Sequence, residues 1–117
     1  IWVFDVKSGK YTYMSPSIEQ LTGFTPQETM LQNISETYAS DSVTLIRSTF
    51  IVHLRAFLKN KYAKNSYSLQ VQQYCKNGSL VWLEITSEFH IAKNGKIQLL
   101  DEKCRKYSPP IMCKVEL

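Results

Sequence analysis

Several absences narrow the possibilities before any motif is considered. No apolar run among the 117 residues approaches the roughly 20 that a membrane-crossing helix needs, so no membrane segment is expected. No signal peptide is visible either. Only four glycines are present, each accounted for by a turn or a helix end, which leaves nothing to build a phosphate-cradling glycine loop. The two histidines, His53 and His90, and the three cysteines, Cys75, Cys104 and Cys113, are too scattered to form a metal cluster, and no Cys-x-x-Cys pair occurs. An odd number of unpaired thiols fits a reducing, cytoplasmic location. No nucleophile–base pair stands out, so the chain is not expected to be an enzyme. The net charge of +4 is a mild imbalance, and its basic residues are scattered along the sequence, which argues against nucleic acid as a partner.

What is present is a dense alternating pattern. Ser66–Tyr74, Leu80–Ile91 and Ile97–Leu100 read as three strands, separated by Lys76-Asn77-Gly78-Ser79 and Lys93-Asn94-Gly95-Lys96. Each Asn-Gly pair suggests a type I′ hairpin turn with positive φ at both residues. In the middle strand Val81, Leu83, Ile85, Ser87 and Phe89 share one face; Trp82, Glu84, Thr86 and Glu88 share the other. In the strand before it, Tyr67, Leu69, Val71 and Gln73 align with the first set. A sheet with one oily face needs a cover.

The earlier chain supplies it. Ile1–Asp5 and Tyr11–Met14 read as an N-terminal hairpin, with Trp2 and Phe4 on one face and Ile1 and Val3 on the other. Ser15-Pro16 opens a short helix that Gly23 closes. Thr25-Pro26-Gln27-Glu28 opens a second with a capping box. Asn33–Ser40 is loop or a single turn. Ser40 or Asp41 is expected to cap a long helix from about Ser42 to Asn60, whose stripe is Val43, Ile46, Phe50, Leu54 and Phe57. The chain begins without methionine in a strand-like run, as a piece of a longer protein would.

This order of elements resembles a PAS domain, of the type found in microbial sensor histidine kinases and related signalling proteins. The matching residues are Ile1-Trp2-Val3-Phe4-Asp5, Tyr13-Met14-Ser15-Pro16-Ser17, Leu21 through Glu28, Tyr74 through Ser79 and Val81-Trp82-Leu83-Glu84. They span about residues 1–100 of a single domain covering 1–117; residues 101–117 are atypical. The resemblance implies an α+β fold: a five-stranded antiparallel sheet of order 2-1-5-4-3, helices on one face, and a cavity beneath the long helix. It implies a non-catalytic sensory or regulatory module that senses a small ligand and relays the signal to an effector domain such as a histidine kinase. The alternative is a dimerisation or protein-interaction element without a ligand.

The cofactor is unknown from sequence. The flavin-cysteine motif of light sensors is missing around Asn33-Ile34-Ser35-Glu36, and His53 is wrongly spaced to be a heme ligand. The pocket is expected to involve Trp2, Phe4, Phe50, Leu54, Phe57, Leu69, Val71, Gln73, Leu83 and Ile85. Gln73 is either a polar ligand contact or a strand-end amide bonded to backbone or water. Ile1, Val3 and Trp82 are the expected interface of a homodimer, extended by Ile97 or Leu99. The sequence departs from the pattern at Asp101-Glu102-Lys103, where three charges interrupt what should be a central strand.

Overall fold

The computed structural model describes residues 1–108; the expectations that fall on Cys113 and residues 109–117 lie outside the described residues. The elements are β1 (Trp2–Asp5), β2 (Lys10–Met14), α1 (Ser17–Thr22), α2 (Pro26–Leu31), α3 (Ile34–Thr37), α4 (Ser40–Lys59), β3 (Tyr67–Tyr74), β4 (Leu80–Ile91) and β5 (Ile97–Lys106). All strand pairings are antiparallel, in the order β2-β1-β5-β4-β3. The helices pack on one face.

The inward series is the one the alternation defines. Trp2, Val71, Leu83 and Ile85 are buried, Leu69 and Phe4 are partly buried against them or their neighbours, and Trp82 lies on the opposite face. The stripe of α4 meets this surface: Val43 and Ile46 near its start, Phe50, Leu54 and Phe57 further on.

Two Asn-Gly turns differ from expectation. Only the glycines take positive φ, 87° at Gly78 and 81° at Gly95, and no non-glycine among the described residues does. Cys75 accepts from the Gly78 N–H and donates to the Ser79 carbonyl, and the Ala92–Lys96 turn repeats the pattern. These are three-residue loops in which glycine alone is left-handed, not two-residue type I′ turns. The asparagines instead use their side chains: Asn77 Oδ1 accepts from the Ser79 N–H at 3.0 Å, and Asn94 Oδ1 from the Lys96 N–H at 3.0 Å.

The caps divide similarly. Thr25 and Glu28 form a reciprocal capping box, as do Asn33 and Glu36 at the single turn α3. Gly23 ends α1 at φ 83°. By contrast, α4 starts two residues early, at Ser40, with Ala39 at the N-cap and no side-chain cap bond. The backbone compensates, because the Ala39 N–H donates to the Gln72 carbonyl and ties the helix start to β3. Ser42 is thereby free to accept from the Gln72 N–H at 2.8 Å. Ser15 likewise does not cap α1 at the N-cap position, which Pro16 occupies.

The last strand does not stop at the charges. β5 runs through Asp101, Glu102 and Lys103 to Lys106, and a register shift opposite Thr86 and Ser87 absorbs one extra residue. Asp101 turns inward, and Glu102 lies beside Glu88.

Candidate functional site

The interior is divided. Trp2, Val71, Leu83 and Ile85 join Met14, Ile18, Tyr38 and Val43 in one apolar cluster, with Leu69 against it. Phe57, Phe89 and Leu99 form a second, with Phe4, Phe50 and Leu54 against it. Nine of the ten expected pocket residues are therefore shared between two packed clusters, and the tenth, Gln73, belongs to neither. Aromatic rings fill the second: Phe50 and Phe57 lie 5.5 and 5.6 Å from Phe89, and Phe4 meets Phe50 edge-on at 6.1 Å.

A buried polar band separates the clusters. On β4 the inward residues run Leu83, Ile85, Ser87, Phe89, and on β5 they run Leu99, Asp101, Cys104. Ser87 and Asp101 thus sit where one cluster ends and the other begins. The Ser87 hydroxyl donates to the Asp101 carboxylate. Burial raises the Asp101 carboxyl to about 7, against the opposing pull of that hydrogen bond and of the N-terminal amine. Tyr67, pushed up to about 12 by burial and then by the Asp101 charge, reaches Ser87. Tyr11 and Tyr38 face each other nearby, and burial raises both hydroxyls. The Cys104 thiol is pushed up to about 12 by burial and then by Asp101, which makes it a poor nucleophile at neutral pH.

Gln73 is the outlier of the interior. It is 0% exposed, and neither its amide nitrogen nor its amide oxygen has a hydrogen-bond partner. The backbone explains the placement: Gln73 continues the inward series of β3 and forms a bridge to Tyr38, at the junction of α3 and α4. A fully buried amide with both functions unpaired forfeits a few kcal/mol of hydration, so it calls for a specific explanation.

The other candidates are more ordinary. His53 Nδ1 lies 2.9 Å from the Thr49 carbonyl, and its ring stacks on Tyr67 at 4.1 Å. Cys75 lies beside the Leu21 carbonyl at the end of β3. No group of three or more His, Cys, Asp or Glu residues that could hold a metal ion occurs among the described residues. No helix there is long and apolar enough to cross a membrane.

On the outer face Trp82 is half-buried, with the Tyr107 ring 6.4 Å away and edge-on. Val3 pairs with Leu100 on the same face, and Ile1 is exposed. Leu99 and Ile97 point to the helices, contrary to the expectation that one of them would extend this patch; Leu100 takes that place because β5 pairs Val3 with an even-numbered residue. Between the Val3–Leu100 and Trp82–Tyr107 spots runs a polar strip. Its core is Glu84, which accepts from Gln70 at 3.0 Å and from Arg105 at 2.6 Å. Those two contacts hold the Glu84 carboxyl below its usual range.

This combination defines an α+β class: helices inserted between strands 2 and 3, all on one face, and an interior closed between α4 and the sheet. The family model described as the PAS fold matches residues 11–101. The chain belongs to the PAS family. Among solved structures it is similar to a tryptophan variant of the PAS-B domain of Drosophila melanogaster Cycle with bound glycerol, at 12% identity and TM-score 0.66, covering 92% of this chain and all of that one. It is similar to a PAS domain from a two-component sensor histidine kinase, at 11% identity and TM-score 0.57, covering 91% of this chain and 82% of that one. A fungal LOV domain photoreceptor aligns at 20% identity and TM-score 0.61, over 91% of this chain and 71% of that one. No curated protein sequence matches at a significant level.

Proposed function

We propose that the chain is a sensory module that binds a small, neutral organic molecule beneath α4 and relays its presence through the sheet to an effector domain, such as a histidine kinase. The orphaned amide of Gln73 carries this reading. A ligand with an adjacent donor and acceptor, such as a primary amide or a lactam, would pair both functions of the amide at once. Ser87 and Asp101 lie six residues along β4 from Val81, the partner of Gln73, about 20 Å away, and take no part in holding a compact guest there. Aliphatic neighbours, Val71 and Leu69 on the same strand, suit a compact and largely apolar body. The relative solved with glycerol in its PAS-B domain lends fold-level support for a small polyol-sized guest. The domain itself would do no chemistry, and a cytoplasmic setting suits its unpaired thiols.

Native mass spectrometry of the purified chain, paired with an absorption spectrum, tests this. A retained non-covalent adduct that is absent from Gln73→Leu supports it. An adduct of equal occupancy in both proteins would assign the ligand elsewhere.

A second reading, a dimerisation element, is favoured by the filled aromatic end of the interior and by the Trp82–Tyr107 pair on the outer face. In this reading Trp82, Val3 and Ile1 meet a second copy or a neighbouring segment of the parent chain. Tryptophan is a common energetic centre of interfaces.

A further inference from the structure

The basic residues are scattered in sequence and gathered in space. β1–β2, α4–β3 and β4–β5 connect at the same end of the sheet. The Val6 N–H donates to the Ile97 carbonyl, which joins the first turn to the third. Asn65 binds the backbone of Phe89 on both sides, and Phe57 stacks on the same ring, which brings the second connection alongside. These three connections and their flanking residues hold Lys7, Lys10, Lys59, Lys61, Lys64, Lys93 and Lys96. All seven are exposed, and none forms an ion pair among the described residues. The connections 6–9, 60–66 and 92–96 contain no carboxylate. Asp5 and Glu88 are the acidic residues beside them; Asp5 is buried against Ser8, and Glu88 pairs with Glu102 on the outer face.

The opposite end has the reverse sign. The Ala39–Gln72 and Lys76–Thr22 backbone bonds place the start of α4, α1 and the β3–β4 turn there. Glu19, Glu28, Glu36 and Asp41 belong to that end; of the cations there, Lys76 is engaged by Glu28 at 2.9 Å and Arg105 by Glu84 at 2.6 Å, which leaves Lys106 as the one without an ion pair among the described residues. The domain is therefore a charge dipole along its strands, although its net charge is only +4.

We propose that the lysine-bearing end docks on an anionic phospholipid surface, with the strands standing away from it. Two features favour a bilayer over a folded acidic partner or nucleic acid. The lysines stand on separate connections at an end of the molecule, and one arginine, Arg55, stands a helical turn behind Lys59 on α4, too few to grip phosphates in a row. Apolar side chains stand among them without cover: Tyr62 is 101% exposed, and Leu58 and Ile91 are roughly half exposed. A tyrosine ringed by lysines suits the headgroup layer, where the ring sits at the interface and the ammonium groups meet phosphates. The acidic end is repelled by the same surface, so the dipole fixes orientation as well as affinity.

Vesicle co-sedimentation tests the proposal, using phosphatidylcholine alone and phosphatidylcholine mixed with phosphatidylserine. The expected result is binding to the mixed vesicles only, weakening steeply as salt shortens the screening length. The triple substitution Lys61→Glu, Lys64→Glu, Lys96→Glu should lower affinity by at least about tenfold. The same charge change at Arg47, Lys103 and Lys106, away from this end, should leave it within about threefold if placement matters more than net charge. Circular-dichroism melts on both triples establish that each is folded. Equal binding to uncharged vesicles, no binding at low salt, or equal loss in the two triples overturns the proposal. So does tighter binding to duplex DNA or to polyglutamate than to the mixed vesicles.

Discussion

At Asp101 the expectation of an interrupted strand and the observed burial meet in one side chain. Its carboxyl ordinarily titrates near 3.8, and burial raises it to about 7 in the folded chain. An acid with a raised folded pKa binds its proton more tightly when folded. The stability it allows is fully present below about pH 4 and is lost as pH rises through about 7. The groups facing it are Tyr11 on β2, Tyr38 before α4, Tyr67 on β3, Ser87 on β4, Cys104 on β5 and the N-terminal amine. The three tyrosine hydroxyls and the Cys104 thiol, all raised by burial, do not titrate in that window. Denaturant melts should therefore show stability falling between about pH 5 and pH 8, by on the order of 3 kcal/mol from this group. Asp101→Asn keeps an oxygen for the Ser87 hydroxyl and should remove that slope. Gln73 gives the second residue-scale prediction. Gln73→Leu replaces an unpaired amide with a similar apolar volume and should stabilise the ligand-free domain by about 1–2 kcal/mol in the same melts. A loss instead would show that the amide is satisfied.

At the scale of elements, burial and backbone geometry set the costs. Phe57 is buried and Leu54 only half-buried on the same stripe of α4. Phe57→Ala should cost about 3–5 kcal/mol, and Leu54→Ala about 1–3, by chemical denaturation. A loss below roughly 0.5 kcal/mol at Leu54 would mean that the stripe does not face the sheet. Gly23→Ala meets both a φ of 83° and a Cβ contact 3.3 Å from Lys76 Cβ, and should cost at least about 1 kcal/mol. These elements also mark what was legible in advance. Two-residue alternation determined which faces of β3 and β4 are buried, and a five-residue stripe with steps of three and four did the same for α4. Local chemistry was read too generously where two mechanisms compete. Asn77 and Asn94 could have taken left-handed backbones, but their side-chain bonds to residues two further on are satisfied without that strain. The start of α4 could not be read from caps, because the N–H of its N-cap residue, Ala39, is satisfied by Gln72 on β3, far away in sequence. Asp101 shares a face with Ile97 and Leu99 by parity, but that face was expected to be the outer one, so the burial of Asp101 was not legible.

For the whole molecule, the sheet has one side committed to packing and one open to partners. The outer side is not a single apolar patch, since the Gln70–Glu84–Arg105 strip crosses it. If copies associate through Trp82, the contact is local, and Trp82→Glu should abolish it while leaving the melting curve intact. Sedimentation equilibrium on the two proteins checks this; a mutant that associates as well as wild type removes Trp82 from any interface. The ligand claim was less legible than the fold. Alternation placed Gln73 inside, but only the structure shows that both its amide functions lack partners. The split of the expected pocket residues into two clusters depends on Ser87 and Asp101, whose pairing spans a register shift that no local pattern encodes. Gln73 is also where the account is most directly tested, by NMR of its side-chain amide during a screen of small amides, lactams and polyols. Compounds with an adjacent donor and acceptor are expected to shift the Gln73 amide signals together with the Leu69 and Val71 methyl groups, and Gln73→Leu to abolish the methyl shifts. Shifts confined to surface residues, or methyl shifts that persist unchanged in Gln73→Leu, would contradict it.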